Sequence, residues 1–197
     1  MSTIVDFLER TVALTPHATY AVYHGRRFSF QEINEWANRI ANGLLDAGYV
    51  PGEKIGLICS NRPGFLCAYF GILKLGAIPT ILATNLTARD LIHELGSAEA
   101  TGLFTYEGIG NTQFLESVLT AQKDLGLLRN IWLIPSMPDD PSPDPEIPSI
   151  ADLASGQSAR FRSTKAAPDP SAAPVYIRVN RPCQGCRNHP PQPNFND

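Results

Sequence analysis

The sequence predicts an α/β fold in which short apolar strands alternate with amphipathic helices around a largely parallel sheet. Apolar runs of strand length recur at 55–59, 78–82, 101–105 and 130–134, and they lack the in-out alternation of a sheet with one wet face. Between them lie stretches of helical period, opened by capping residues or a proline. Of the 197 residues, 43% are hydrophobic and 18% charged, the composition of a core-forming chain rather than a disordered one.

The first helix is predicted over 3–14, with Ile4, Val5, Leu8 and Val12 along one side and Pro16 beyond its end. His24-Gly25, flanked by 20–23 and 27–28, reads as the turn of a small hairpin. Ser29 then opens the clearest helix. With Glu32 it spells S-x-x-E, in which each side chain satisfies an orphan amide of the other's turn. Ile33, Trp36, Ala37, Ile40, Ala41, Leu44 and Leu45 give that helix one apolar face, and Gly48 supplies the stop. After the strand at 55–59, Pro63 suits a first helical turn, and this helix continues to 75, ahead of Gly76. After the strand at 78–82, Thr87 with Asp90 caps a helix that carries Leu91, Ile92 and Leu95 and ends at Gly96. A strand at 101–105, a helix at 112–125 and a strand at 130–134 complete the alternation.

Composition changes at Pro135. Nine prolines fall between 135 and 174 among Ser, Asp and Ala, and such a segment is expected to be a linker or extended loop without a packed core. It changes again after Tyr176. Residues 177–197 hold four prolines, three arginines and no acid but Asp197, with neither periodicity. The expected organisation is therefore an α/β unit at 1–134, a Pro-rich linker at 135–176 and an aberrant, disordered tail at 177–197.

Several stretches carry a family resemblance. Phe28-Ser29-Phe30-Gln31-Glu32-Ile33 resembles the first core motif of adenylate-forming enzymes, an aromatic-Ser/Thr-aromatic-x-Glu-aliphatic helix start. Asn38-Arg39-Ile40-Ala41 and Gly48-Tyr49-Val50-Pro51-Gly52-Glu53-Lys54-Ile55 are similar to that family's helix end and its turn into the next strand. Leu73-Lys74-Leu75-Gly76-Ala77-Ile78-Pro79 resembles the second core motif, which Asn85-Leu86-Thr87, Leu91-Ile92-His93 and Thr101-Gly102-Leu103-Phe104-Thr105 continue. In this order they resemble the N-terminal portion of an AMP-forming acyl-CoA synthetase of the adenylate-forming ligase superfamily. The Asn85-Leu86 and Leu91-Ile92-His93 wording leans toward fatty-acyl or very-long-chain members.

The resemblance implies an incomplete, N-terminal portion of the adenylate-forming fold. Intact members use ATP, Mg2+ and CoA: they join a carboxylate to ATP, release pyrophosphate and hand the acyl group from AMP to the CoA thiol. Their phosphate loop, Tyr-Thr-Ser-Gly-[Ser/Thr]-Thr-Gly-x-x-Lys-Gly, cradles the ATP phosphates with amides and hydroxyls. It would follow Tyr176, where this chain reads Ile177-Arg178-Val179-Asn180-Arg181-Pro182-Cys183-Gln184-Gly185-Cys186-Arg187. A frame opened at the second base of the Tyr176 codon permits Thr-Ser-Gly-Ser-Thr-Gly-Pro-Ala-Lys-Gly, the missing loop at the expected place. The tail thus reads as frame-shifted or mis-spliced coding sequence. The ribose-binding Asp and the lid's catalytic Lys also lie beyond this chain. No catalytic, cofactor-binding or metal-ligating residue is assigned, and no cofactor is expected for the chain as spelled. A carboxylic acid, ATP and CoA become its partners only if it is completed.

Other motifs have plainer readings. Cys183 and Cys186 with His189 could ligate zinc, but no second pair exists and the frame argument explains them. Gly108-Ile109-Gly110 lacks the third glycine of a dinucleotide loop and reads as a turn. His93-Glu94 reads as a helix-face pair, Ser29 as a cap, and Lys74 as a cation complementing a helix end. A net charge of −3 gives no reason to expect a nucleic-acid partner. The run at 65–84 is interrupted by Gly71, Gly76 and Pro79, so no spanning helix is expected, and the N-terminus has no basic leader. Four cysteines point to a reducing, cytoplasmic setting, with a peroxisomal or membrane-peripheral place for the intact relative left open. Two rival readings remain: a non-enzymatic product that binds a partner through exposed sheet edges, and an incomplete one that self-associates or needs chaperones.

Overall fold

Capping chemistry sets most of the helix starts. A computed structural model describes residues 3–108 and 113–161. Its elements run α1 (Ile4–Leu14), β1 (Thr19–Tyr23), β2 (Arg26–Ser29), α2 (Phe30–Asp46), β3 (Lys54–Leu57), α3 (Pro63–Leu75), β4 (Ile78–Ile81), α4 (Ala88–Ala98), β5 (Gly102–Thr105), α5 (Gln113–Leu125), β6 (Asn130–Leu133) and α6 (Ile150–Ala154). Reciprocal boxes open α1 (Thr3 with Asp6), α2 (Ser29 with Glu32), α4 (Thr87 with Asp90) and α6 (Ser149 with Asp152). Each satisfies amides that the first helical turn leaves without a partner. Pro63 opens α3, and Gly76 closes it at φ 83°. The β1–β2 turn sets both His24 (φ 47°) and Gly25 (φ 79°) in the left-handed region, the twist that two-residue hairpins need.

One predicted boundary moves. The α4 helix does not stop at Gly96 but continues to Ala98 and turns at Glu99, φ 53°. Gly96 is a packing position instead: a Cβ there would come within 2.9 Å of the Leu125 side chain of α5. The glycine reads as punctuation in sequence, but a neighbouring helix is what requires it.

The four later strands form one parallel sheet in the order β4-β3-β5-β6, beside the separate antiparallel β1–β2 hairpin. Successive side chains leave a strand on opposite faces, and both faces are covered. Ile55, Leu57, Phe104, Trp132 and Ile134 join a core with α1, α2, α3 and the hairpin. Ile58, Leu103, Ile131 and Leu133 join a second core under α4 and α5. The doubly covered parallel sheet therefore stands as the alternation predicts.

The expectation for the Pro-rich segment needs correction over 135–161. There the chain folds back onto the α/β layers: Ser149 bridges to Leu133 at the edge of β6, and Ile147, Ile150 and Ala154 are buried. The Asn38 amide donates to the Ala159 carbonyl at 2.8 Å, and the Asn42 amide to those of Ser158 and Arg160 at 2.8 and 3.1 Å. Proline content measures what a backbone cannot do. It does not register three apolar residues and a cap at the right spacing. The predicted disordered tail at 177–197, and the rest of the linker from 162, lie outside the described residues.

Candidate functional site

The winding order places a crevice at one end of the sheet. From β3 the chain crosses by α3 to β4, then returns by α4 over β3 to reach β5 on its far side. Connections thus leave the carboxyl ends of β3 and β5 toward opposite faces, the topological position where open α/β sheets bind ligands.

Arg62 occupies that position. It is the N-cap residue of α3, in extended backbone and without a side-chain cap hydrogen bond, and its side chain is only 7% exposed. Its Nε donates to Ser60 Oγ at 3.1 Å, and Nη1 to the Ile134 carbonyl at 2.9 Å. Nη1 and Nη2 each donate to one carboxylate oxygen of Glu107 at 2.7 Å, the forked pairing that suits guanidinium and carboxylate. The guanidinium also lies 5.4 Å from the Tyr106 ring centroid, and the Tyr106 hydroxyl donates to the Thr84 carbonyl at 3.3 Å. Arg62 and Tyr106 together therefore tie down the segments that follow all four strands of the sheet.

The electrostatics favour the charged pair. The hydrogen bonds to Glu107 raise the Arg62 pKa against the opposing effect of burial. Burial pushes the Glu107 carboxyl up, but bonds from Arg62 and the backbone outweigh it, and its pKa is lowered. Beside them, burial pushes the Cys59 thiol to about 12 against the pull of Arg62. At neutral pH it is a thiol, not a nucleophilic thiolate.

A cavity of about 290 Å³ adjoins Arg62, lined also by Ala21, Val22 and Tyr23 of β1, by Asn61, and by Pro63, Phe65 and Leu66 of α3. Among the described residues no group of three or more His, Cys, Asp or Glu could hold a metal ion, and the segment Ser60-Asn61-Arg62 contains no glycine.

Residues singled out in sequence fare as follows. Ser29 sits in its cap, accepting from the Glu32 amide at 3.1 Å and donating to the Glu32 carboxylate at 2.8 Å. Lys74 lies in the last turn of α3, as read from the sequence, and is also buried: its side chain is 2% exposed, and its ammonium is paired with Glu9 of α1. His93 is exposed on α4. Gly108 has φ 92°, while Ile109 and Gly110 lie outside the described residues, as do Cys183, Cys186 and His189. Sequence reading missed Arg62 and Glu107. They are 45 positions apart in no common motif, and only the β3–β5 pairing brings them together. Among the described residues no helix is long and apolar enough to cross a membrane.

Comparison with known proteins points one way. The profile described as "AMP-binding enzyme" matches residues 8–177. Long-chain fatty acid transport protein 6 of Mus musculus is 31% identical over 103 residues, 51% of this chain and 16% of that protein. Acyl-CoA ligase sidI of Aspergillus fumigatus is 32% identical over 95 residues, 48% of this chain and 16% of the ligase. A medium/long-chain-fatty-acid–CoA/3-oxocholest-4-en-26-oate–CoA ligase of Mycobacterium marinum is 35% identical over 75 residues, 38% of this chain and 14% of its own length. Among solved structures, the anthranilate CoA ligase AuaEII superposes with a TM-score of 0.72 at 24% identity, covering 83% of this chain and 30% of the ligase. The N-terminal domain of FACL13 from Mycobacterium tuberculosis gives 0.68 at 20% identity, covering 84% and 38%. The chain thus spans about a sixth of the length of these curated relatives.

Proposed function

The chain belongs to the AMP-binding enzyme family, and from that premise we propose that it is the N-terminal part of an acyl-CoA ligase whose acid is a fatty carboxylate. In the intact ligase the acid, ATP and CoA would give acyl-CoA, AMP and pyrophosphate through an acyl-AMP. Two relatives whose names specify long-chain or medium/long-chain fatty acids support the acid class. The chain as spelled supplies the scaffold of that ligase and not its phosphate grip. The observation that carries this is the reach of the family match, which runs to residue 177, one position past Tyr176, where the sequence leaves the loop pattern.

The test is ATP–pyrophosphate exchange by the purified full chain with Mg2+ and octanoate or palmitate. The expected result is no exchange above the enzyme-free blank, and exchange at the rate of an intact ligase overturns the scaffold reading. The tail is tested separately in the genomic DNA between the Tyr176 and Arg187 codons. A stop codon in the shifted frame, or a codon there that excludes glycine, rejects the frame-shift origin.

A second reading, in which the chain acts by associating with another polypeptide or with itself, is favoured by β4. That strand has β3 as its one neighbour among the described residues, and an unpaired edge is a template for another strand. Light scattering during gel filtration distinguishes the two: a concentration-independent monomer rejects self-association. A reducing, cytoplasmic setting accompanies both readings, supported by free thiols at Cys59 and Cys67. Cell fractionation checks it.

A further inference from the structure

The hairpin leaves one edge of β1 open beside a cavity. Its turn is the two residues His24-Gly25, so the flanking Tyr23–Arg26 pair carries ladder hydrogen bonds and the next pair, Val22–Arg27, does not. The amide and carbonyl of Val22 therefore point away from β2. Among the described residues neither is bonded to a backbone group outside the hairpin. The cavity of about 290 Å³ is lined by Ala21, Val22 and Tyr23 and by no residue of β2, with the first turn of α3 as its other wall. It thus lies along the open edge, not over a face of the hairpin.

This edge is a better template for a strand than that of β4. The amides of Ile78 and Leu82 donate to Glu53 and Leu57 on the β3 side, so Pro79 and Ile81 face outward, and Pro79 has no amide to offer. By contrast β1, Thr-Tyr-Ala-Val-Tyr, holds neither proline nor charge, and prolines and charges are what blunt an edge. Val22 is 60% exposed, and Phe65 and Leu66 give the cavity an apolar wall. Arg27, directly across the ladder from Val22, is exposed and in no salt bridge among the described residues. Residues so paired share one face of a hairpin, so the open edge has an uncommitted cation beside it.

We propose that the groove between β1 and the start of α3 binds an extended segment of a partner polypeptide, which adds to β1 as a strand through Val22, sets an apolar side chain against Phe65 and Leu66, and carries an acidic residue toward Arg27. The proposal rests on the associating reading above and gives it a surface. Main-chain bonds to Val22 supply the pairing, and the alternation of side chains along an extended chain lets one enter the groove while its neighbours turn away. The Arg62–Glu107 pair stays intact, so no buried charge loses its partner.

Fluorescence anisotropy of the full chain with synthetic peptides tests this. The probe is a short, end-blocked peptide of alternating valine and serine with one central glutamate. One control has lysine in place of glutamate, and another is N-methylated at every amide. The glutamate peptide is expected to bind saturably, the methylated copy at least about tenfold more weakly and the lysine copy about threefold more weakly. Arg27→Gln is expected to remove the preference for glutamate. Val22→Pro, which deletes the outward amide and spares the ladder to β2, is expected to weaken binding about tenfold. Wild-type chain that binds the methylated copy as tightly overturns the proposal, and that comparison requires no variant to fold. Binding unaltered in Val22→Pro rejects this surface while leaving the associating reading in place. Dimers seen by light scattering and lost in Val22→Pro make a second copy the occupant, and so reject a separate partner. A monomer that binds no peptide below about 1 mM rejects the surface and the associating reading together.

Discussion

The Lys74–Glu9 pair shows how burial, rather than charge alone, decides what a residue contributes. Lys74 is 2% exposed and Glu9 is 52% exposed, so the two halves of the pair are not equivalent. Deleting Glu9 leaves an ammonium inside the core without its counter-charge, whereas deleting Lys74 leaves a carboxylate that water can solvate. Glu9→Ala is expected to cost about 2 kcal/mol, and Lys74→Met, which fills the same volume, well under half of that. Urea denaturation of both variants checks the order, and equal losses would contradict it. At Ser29 the cap behaves as its sequence suggests. Hydrogen bonds from the Ser29 amide and hydroxyl hold the Glu32 carboxyl below its ordinary 4.5. A lowered carboxylate pKa stabilises the fold fully above the unfolded value, and the contribution is lost as pH falls through the folded one. Thermal melts should therefore fall in temperature as pH drops below about 4.5. Ser29→Ala, costing about 1 kcal/mol at neutral pH, should make that decline shallower.

Element by element, the close approaches are made by glycines whose role only the partner helix reveals. A Cβ on Gly71 of α3 would lie 2.6 Å from Ile40 Cγ2 and 3.2 Å from the Ala37 carbonyl of α2. Alanine in a helix interior is worth about 1 kcal/mol over glycine, but overpacking costs about 1–3 kcal/mol. The second effect should win because part of the clash is with backbone. Gly71→Ala is thus expected to be net destabilising, measured by the denaturation midpoint, despite the gain in propensity. Gly43 of α2 makes a closer approach, its missing Cβ giving way to the Leu153 carbonyl of α6. Gly43→Ala should loosen α6 and the turns before it. Faster proteolytic cleavage within 135–161, with the α2–α3 core intact, is the expected signature, and an unchanged cleavage rate would count against the role given to α6.

For the whole molecule, the two-faced sheet makes the chain more than a row of elements. The central strand β5 and its neighbour β6 divide their side chains between two cores, Phe104 and Trp132 to one and Leu103, Ile131 and Leu133 to the other, so the layers can be assembled only together. Arg62 and Tyr106 then join the four strand exits, a tie that crosses the molecule from β3 to β6. Arg62→Ala should be costlier than any single cap, about 3 kcal/mol, because Glu107 and the Ile134 carbonyl both lose a donor. A cooperative melt displaced to lower temperature checks this. Two separate transitions would instead show that the faces fold independently.

Periods, caps and prolines determined the alternation of strands and helices, because those signals act within a few residues of the backbone they organise. The stretches from Phe28 to Thr105 fixed the family for the same reason: they are local spellings of turns, helix starts and strands. What lay outside that range was decided by tertiary structure. Gly96 became a packing position through Leu125, Lys74 a buried cation through Glu9, and a proline-rich segment an ordered flank through Asn38 and Asn42. Arg62 met Glu107 only because β3 pairs with β5, and no pattern along the chain encodes a contact whose energy appears only once the sheet has formed.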